Sequence, residues 1–167
     1  KIAFSSLPDG TRNHFPWTNN MATIRQTPSL HLGMRDLVFG DHVVAFVESA
    51  DEQVNLVARF LSAGINKGGK AVFIIGQELS PAIGNKLKLL GHPVDVLRTR
   101  GQIRAFDPGE TYLTGGFFSA ERTIRKLAAL IKQTADEGWS HLCLVGDASW
   151  ALRPIPGVEE LASYEAE

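Results

Sequence analysis

The sequence predicts an α/β domain, a parallel sheet with helices on both of its faces. Three observations carry that expectation. Short apolar runs alternate along the chain with segments of helical period. The two clearest runs, Val43 to Val47 and Ala71 to Ile75, are continuous and β-branched, as strands buried on both faces are. One helical segment joins them, and two buried strands joined by a helix make a right-handed βαβ unit.

The elements follow in chain order. Lys1 to Asn20 holds turn formers and no sustained period: Leu7-Pro8-Asp9-Gly10, Phe15-Pro16-Trp17 and Asn19-Asn20. Met21 followed by Ala22-Thr23 reads as a native start, which leaves the first twenty residues as vector-derived or as a flexible arm. Thr27 to Phe39 is a lead-in. The domain proper is expected over 40–167, with 1–39 as arm or tag plus lead-in. Ser49 with Glu52 three residues on is a capping box that opens a helix. Val54, Val57, Ala58, Leu61 and Ile65 form its apolar stripe, Phe60 widens it, and Gly68-Gly69 ends it.

Ser80-Pro81 reads as an N-cap followed by proline at the first helical position. Ile83, Leu87 and Leu90 give that helix its face, and Gly91 closes it. Val94 to Leu97 fits either period. Ile103 to Phe106 is a third strand, ending at Asp107-Pro108-Gly109. The loop from Glu110 to Phe117 carries two adjacent glycines and two aromatic residues. Ser119 caps the longest helix, to about Glu137, with Ile124, Leu127, Ala128 and Ile131 toward the core and Arg122, Arg125 and Lys126 toward water. Leu142 to Val145 is the last clear strand, and Val158 to Glu165 is a terminal amphipathic helix.

The turn after Val47 decides against one familiar chemistry. A phosphate-binding loop needs glycines, backbone N–H groups and a lysine at this point. Here the turn is Glu48-Ser49-Ala50-Asp51-Glu52, with no glycine, no lysine and three carboxylates that would repel a triphosphate. The frame is that of a phosphate-loop domain without its phosphate chemistry, a degenerate loop in a non-catalytic relative.

Composition narrows the rest. A chain of 167 residues suits one domain with a real core, and 44% hydrophobic with 21% charged residues is globular. A net charge of -1 gives no electrostatic case for nucleic acid or an anionic membrane. The single cysteine, Cys143, excludes an internal disulfide. No apolar run approaches a membrane span and no signal peptide opens the chain, so a cytoplasmic protein is expected. The five histidines show no metal-ligand spacing, and no nucleophile elbow occurs, so neither a metal, a cofactor nor an enzyme is expected.

In open α/β sheets ligands bind beyond the carboxyl ends of the strands. Glu48 maps there after the first strand, Gln77 and Glu78 after the second, and Asp147 and Trp150 after the last. Tyr112 and Phe117 can close over the same edge, and His42 precedes the first strand. Aromatic walls with a few carboxylates would suit a small, partly apolar or cationic ligand. Each residue also has a plain structural reading. Trp150 fits a core or lid residue, Asp147 a cap, Glu48 a carboxylate favoured by a helix dipole, His42 a structural histidine, and Tyr112 and Phe117 loop anchors.

At these residues the chain resembles the MEDS domain, the methanogen/methylotroph sensory domain named for the dichloromethane-responsive repressor. The resemblance rests on Gly40-Asp41-His42, on Phe60-Leu61-Ser-Ala-Gly64 with Gly69-Lys70-Ala71, and on Glu110-Thr-Tyr112-Leu-x-Gly115. It continues in Gly146-Asp147-x-Ser-Trp150-Ala-Leu152 and Tyr164-Glu165, so that it spans Gly40 to the C-terminus. The chain also resembles the RecA and KaiC ATPase frame with its phosphate loop lost. The family resemblance implies a signal-input module for small organic molecules, joined to or acting on an output such as a histidine kinase or a DNA-binding domain. The expected partners are therefore a small-molecule ligand and a signalling partner, with no direct nucleic acid, no membrane and a possible homo-oligomer. The competing readings are a divergent RecA-like nucleotide-binding ATPase, and a ligand-free protein-interaction module, which a filled carboxyl edge would favour.

Overall fold

The computed structural model describes residues 2–6 and 42–166. Within them the order is β1 (Ile2–Ser6), β2 (Val43–Val47), α1 (Ala50–Asn66), β3 (Lys70–Ile74), α2 (Ser80–Leu89), α3 (Val94–Thr99), β4 (Ile103–Phe106), α4 (Pro108–Thr111), α5 (Ala120–Asp136), β5 (Leu142–Asp147) and α6 (Leu161–Ala166), with 3-10 turns at Ser149–Leu152 and Val158–Glu160. All strand pairs are parallel, in the order β2-β1-β5-β3-β4. Ile2–Ser6, in the segment expected to be an arm, lies between β2 and β5 as a strand. The lead-in and the rest of that arm lie outside the described residues.

β2 corrects one expectation. Expected to be buried on both faces, it stands at the edge of the sheet among the described residues, separated from β3 by β1 and β5, with Phe46 44% exposed. A run of branched residues reports strand propensity, whereas position in the sheet is set by distant pairing. β3, in contrast, is buried along its whole length.

Local signals placed the helix ends well. Ser49 Oγ accepts from the Glu52 N–H at 3.1 Å, and the Glu52 carboxylate returns to the Glu48 N–H at 2.8 Å. At the other end of α1, Gly68 takes φ of 80°, so its N–H reaches the Ile65 carbonyl while the Gly69 N–H reaches that of Gly64. This αL closure satisfies carbonyls that would otherwise be orphaned, and only glycine adopts it without strain. α2 differs at its start: Leu79 is the N-cap, Ser80 lies inside the first turn, and no side chain caps it. Leu90 is 41% exposed rather than part of the core face. Val94 to Leu97, which fitted either period, belongs to helix α3.

α5 is rotated from its expected orientation. Ile124 and Leu127 pack inward, but Ile131 is 50% exposed and Ala128 faces water, while Thr123, Leu130 and Thr134 turn toward the sheet. The two threonines can be buried because their hydroxyls bond the carbonyls of Ser119 and Leu130, four residues back, at 2.8 and 2.7 Å. Threonine looked polar in the pattern and is not polar in effect.

The alternation of side chains along β3 and β5 feeds two cores. Ala71, Phe73, Cys143 and Val145 meet α1, α2 and α3 in a mainly aliphatic cluster. Val72, Ile74 and Leu144 meet Tyr112, Phe118, Trp150, Leu161 and Tyr164 on the other face, with Ile124 and Leu127 of α5 beside them. Helices cover both faces of the parallel sheet, as expected. α1 approaches β5 so closely that a Cβ on Gly64 would overlap Cys143 Sγ.

At the amino edge a lysine is wholly buried. Lys70 opens β3, and its ammonium bonds the Glu137 carboxylate at the end of α5. Gln133 and the Trp139 indole also donate to that carboxylate, at 2.7 and 3.1 Å. The lysine hydrogen bond is the chief reason that the Glu137 carboxyl is held below its ordinary value.

Breaking this pair from its two ends should have unequal effects. Glu137→Gln leaves an uncompensated ammonium in the interior, whereas Lys70→Met leaves a carboxylate that still reaches water. Urea unfolding should therefore show the larger loss for Glu137→Gln. Because the folded value of Glu137 is depressed, its contribution is present above about pH 4.5 and fades as pH falls through the lower folded value. Glu137→Gln should remove that portion of the acid sensitivity; equal losses from both variants at neutral pH would contradict this account.

Candidate functional site

The site is built where β5 ends. Gly146 and Asp147 close the strand, and the 3-10 turn from Ser149 carries Trp150 back across the sheet face. Asp147 makes that turn: its Oδ1 accepts the Ser149 N–H and its Oδ2 the Ser149 hydroxyl, both at 2.9 Å. Its structural reading as a cap is thus seen directly. Burial, opposed by those two bonds and reinforced by the Glu78 charge, pushes the Asp147 carboxyl above its ordinary value.

Tyr112 arrives from α4. Its ring lies 5.7 Å from that of Trp150 and 6.5 Å, edge-on, from that of Tyr164. Phe118 completes the group, 4.9 Å from Trp150 and 5.7 Å from Tyr164. The Tyr112 and Tyr164 hydroxyls are hydrogen-bonded to each other, and both phenols are pushed upward chiefly by burial. Both therefore stay protonated at neutral pH. Tyr112 also needs Gly146, since a Cβ there would overlap its hydroxyl.

Of the residues expected at this edge, Tyr112, Asp147 and Trp150 come together. His42 joins them indirectly: its Nε2 lies 2.8 Å from Glu165 Oε2, and Glu165 lines the group. Glu48 is exposed in the turn that caps α1 and does not line it. Nor does Phe117, which is 44% exposed and stacks under the Arg122 guanidinium at 4.4 Å. Phe118, one residue on, is the buried ring. Two successive glycines precede it, so no side-chain period told which phenylalanine would turn inward. Tyr164 and Glu165 were visible only as the end of the MEDS-like motif.

The space enclosed is small, a cavity of about 10 Å³ lined by Tyr112, Gly146, Asp147, Trp150, Tyr164 and Glu165 among others. That is no more than one water requires. One polar group there is unanswered: Trp150 is 2% exposed and its Nε1–H has no acceptor. No three metal-ligating side chains converge among the described residues.

The segments that meet here are those that carried the family resemblance, and a family model bears it out. The model described as "MEDS: MEthanogen/methylotroph, DcmR Sensory domain" matches residues 41–167. The chain belongs to the MEDS family. No curated protein and no solved structure gives a significant match. The MEDS motifs also include Gly64 and Gly69-Lys70, which the structure explains as close helix packing and as the buried lysine.

The segment that delivers Tyr112 is held from outside. Arg122 Nη2 donates to the carbonyls of Tyr112 and Phe117 at 3.2 and 2.6 Å. Lys126 Nζ donates to the Thr111 carbonyl and the Thr114 hydroxyl at 3.0 and 2.9 Å. Both side chains were expected to point to water. Spaced i, i+4 on α5, they instead hold the last carbonyls of α4.

Gly146→Ala should cost about 1–3 kcal/mol, the usual result of overpacking. Adding Tyr112→Phe removes the hydroxyl that the new methyl meets and should recover part of the loss. A double-mutant cycle by urea unfolding should show a coupling of roughly 0.5–3 kcal/mol; strict additivity would mean that the two residues do not meet. Asp147 should act on acid stability in the sense opposite to Glu137. Its folded value is raised, so its stabilising contribution is full below about pH 3.8 and is lost as pH rises through the folded value. Asp147→Asn, followed by urea unfolding across pH, should abolish that component.

Proposed function

We propose that this MEDS domain is a non-catalytic, cytoplasmic signal-input module that binds a small organic molecule at the carboxyl edge of its sheet and passes the event to a kinase or transcriptional output. A sensory role follows from the family. The observation that supports the site is the Trp150 N–H, buried without an acceptor among aromatic walls. Native interiors rarely leave such a donor unpaired, and a ligand oxygen would complete it.

Two further readings meet particular observations. A nucleotide-binding ATPase needs free N–H donors where α1 begins, but the Glu52 N–H is taken by Ser49 and the Glu48 N–H by the Glu52 carboxylate. The chain's own anion stands where a phosphate would go. A ligand-free interaction module is favoured by the cavity of about 10 Å³, too small for any organic molecule in this conformation. Ligand binding therefore requires the aromatic group to open.

A thermal-shift screen of small organic compounds separates these readings, since a compound that binds only the folded state raises the midpoint by mass action. Small neutral organics should raise it, and ATP with Mg²⁺ should leave it unchanged. Micromolar ATP binding by calorimetry would promote the ATPase. No response to any compound would promote the interaction module. Trp150→Phe should weaken a hit at least as much as it lowers stability, because it removes the donor and keeps most of the ring.

A further inference from the structure

Tyr112 is a buried member of the aromatic group and one of the residues that line its small cavity. Trp150 lies on one side at 5.7 Å and Tyr164 on another at 6.5 Å, and its hydroxyl rests over Gly146. Withdrawing it would vacate a ring-sized slot bounded by Trp150, Tyr164, Gly146 and the Asp147 turn. Tyr112 ends a helix of four residues, and Gly115 and Gly116 follow with φ of 80° and 83°. Outside, it is held by the Arg122 and Lys126 bonds to carbonyls, which water can replace.

The polar groups around the slot specify what could enter it. Both Asp147 oxygens already accept from Ser149, and Glu165 is paired with His42. A cation would have to be desolvated opposite carboxylates already engaged by Ser149 and His42, and an anion would face two of them. The unanswered group is a donor, the Trp150 N–H, and the Tyr164 hydroxyl, which gives up its bond to Tyr112 when that ring leaves, can act as a second. The occupant it lacks is an acceptor.

We infer, building on the sensory reading above, that Tyr112 is the resting occupant of the ligand site and that the ligand which displaces it is a small, neutral ring compound carrying a carbonyl or ether oxygen. Displacement moves 108–117 and releases Arg122 and Lys126, which converts occupancy of a buried slot into a change on the exposed side of α5. The wild-type protein binds such a compound more weakly than a chain whose slot is already vacant, because the competent state is only fractionally populated.

Four ring-sized probes test this on the full chain: acetophenone as neutral acceptor, toluene without an acceptor, benzylamine as cation and benzoate as anion. Tyr112→Ala opens the slot, and Tyr112→Leu replaces it should the alanine variant not unfold cooperatively. Calorimetric titration should give acetophenone at least a tenfold lower Kd than toluene, benzylamine or benzoate in the variant, and a weaker Kd in the wild type. The Trp150 indole N–H resonance, assigned through Trp150→Phe, should move only with acetophenone. Toluene binding as well as acetophenone, benzylamine binding best, or a folded variant that takes none of the four would each overturn the inference. The sensory reading fails separately. If the variant takes acetophenone but no organic compound ever binds the wild type, the slot exists and the sensing does not. A wild-type ligand that leaves the Trp150 resonance and Tyr112→Ala binding unmoved would keep the sensing and remove this site.

Discussion

The approach of the Tyr112 hydroxyl to Gly146 sets the arrangement of everything on that face of the sheet. A β5 residue with any side chain would hold the ring off the strand. With the ring down, the 110s segment can lie across the sheet, and Trp150 and Tyr164 can pack against its two sides. Phe118 then follows into the same group, and its N–H bonds the Pro156 carbonyl at 2.9 Å. Glu160, in the next turn, accepts the Ala120 N–H at the start of α5. The start of α5, the terminal turns and α6 thus meet on the face where this glycine and this phenol touch.

The two faces of the sheet are different materials. The face under α1 is mainly aliphatic, closed by Gly64 against Cys143 and by residues with almost no exposure. Such a core is close-packed and has no second arrangement to offer. The other face sets tyrosine, tryptophan and phenylalanine among Val72, Ile74, Leu144 and Leu161, and the tyrosine and tryptophan rings bring polar handles into the interior. Those handles must be paired, and the pairing is incomplete at Trp150. Stability thus concentrates on the first face and at the Lys70–Glu137 edge, and adaptability on the second.

What was legible in the sequence was what short-range physics decides. Ser49, Ser119 and the glycines after α1 and α2 marked helix ends because capping is settled within a few residues. The order of the strands was not legible, since Val43–Val47 has the same composition at a sheet edge as in its centre. Val94–Leu97 holds too few residues to separate a period of two from one of 3.6. Of the residues expected at the carboxyl edge, the structure brings Asp147, Trp150 and Tyr112 together and places Glu48 apart from them, in the cap of α1. Phe117 and Phe118 could not be told apart after two glycines. Lys70 shows the limit most clearly. A lysine opening an apolar strand reads as exposed, and only the distant Glu137 makes its burial possible.

On the sensory reading proposed above, a closed aromatic group with an unpaired donor has a thermodynamic consequence. A ligand shifts a two-state equilibrium only by the difference in its affinity for the two states. An unpaired buried donor costs about 1–3 kcal/mol in the state that contains it. That cost falls on the closed form, where Trp150 has no acceptor, and narrows the gap to an open form in which water or a ligand supplies one. Opposing it are the burial of the Tyr112 ring, its bond to Tyr164 and the carbonyl contacts of Arg122 and Lys126. These are several modest terms rather than one large one. A gap built from such terms is of the size that a small molecule can overcome with a single ring and a single oxygen.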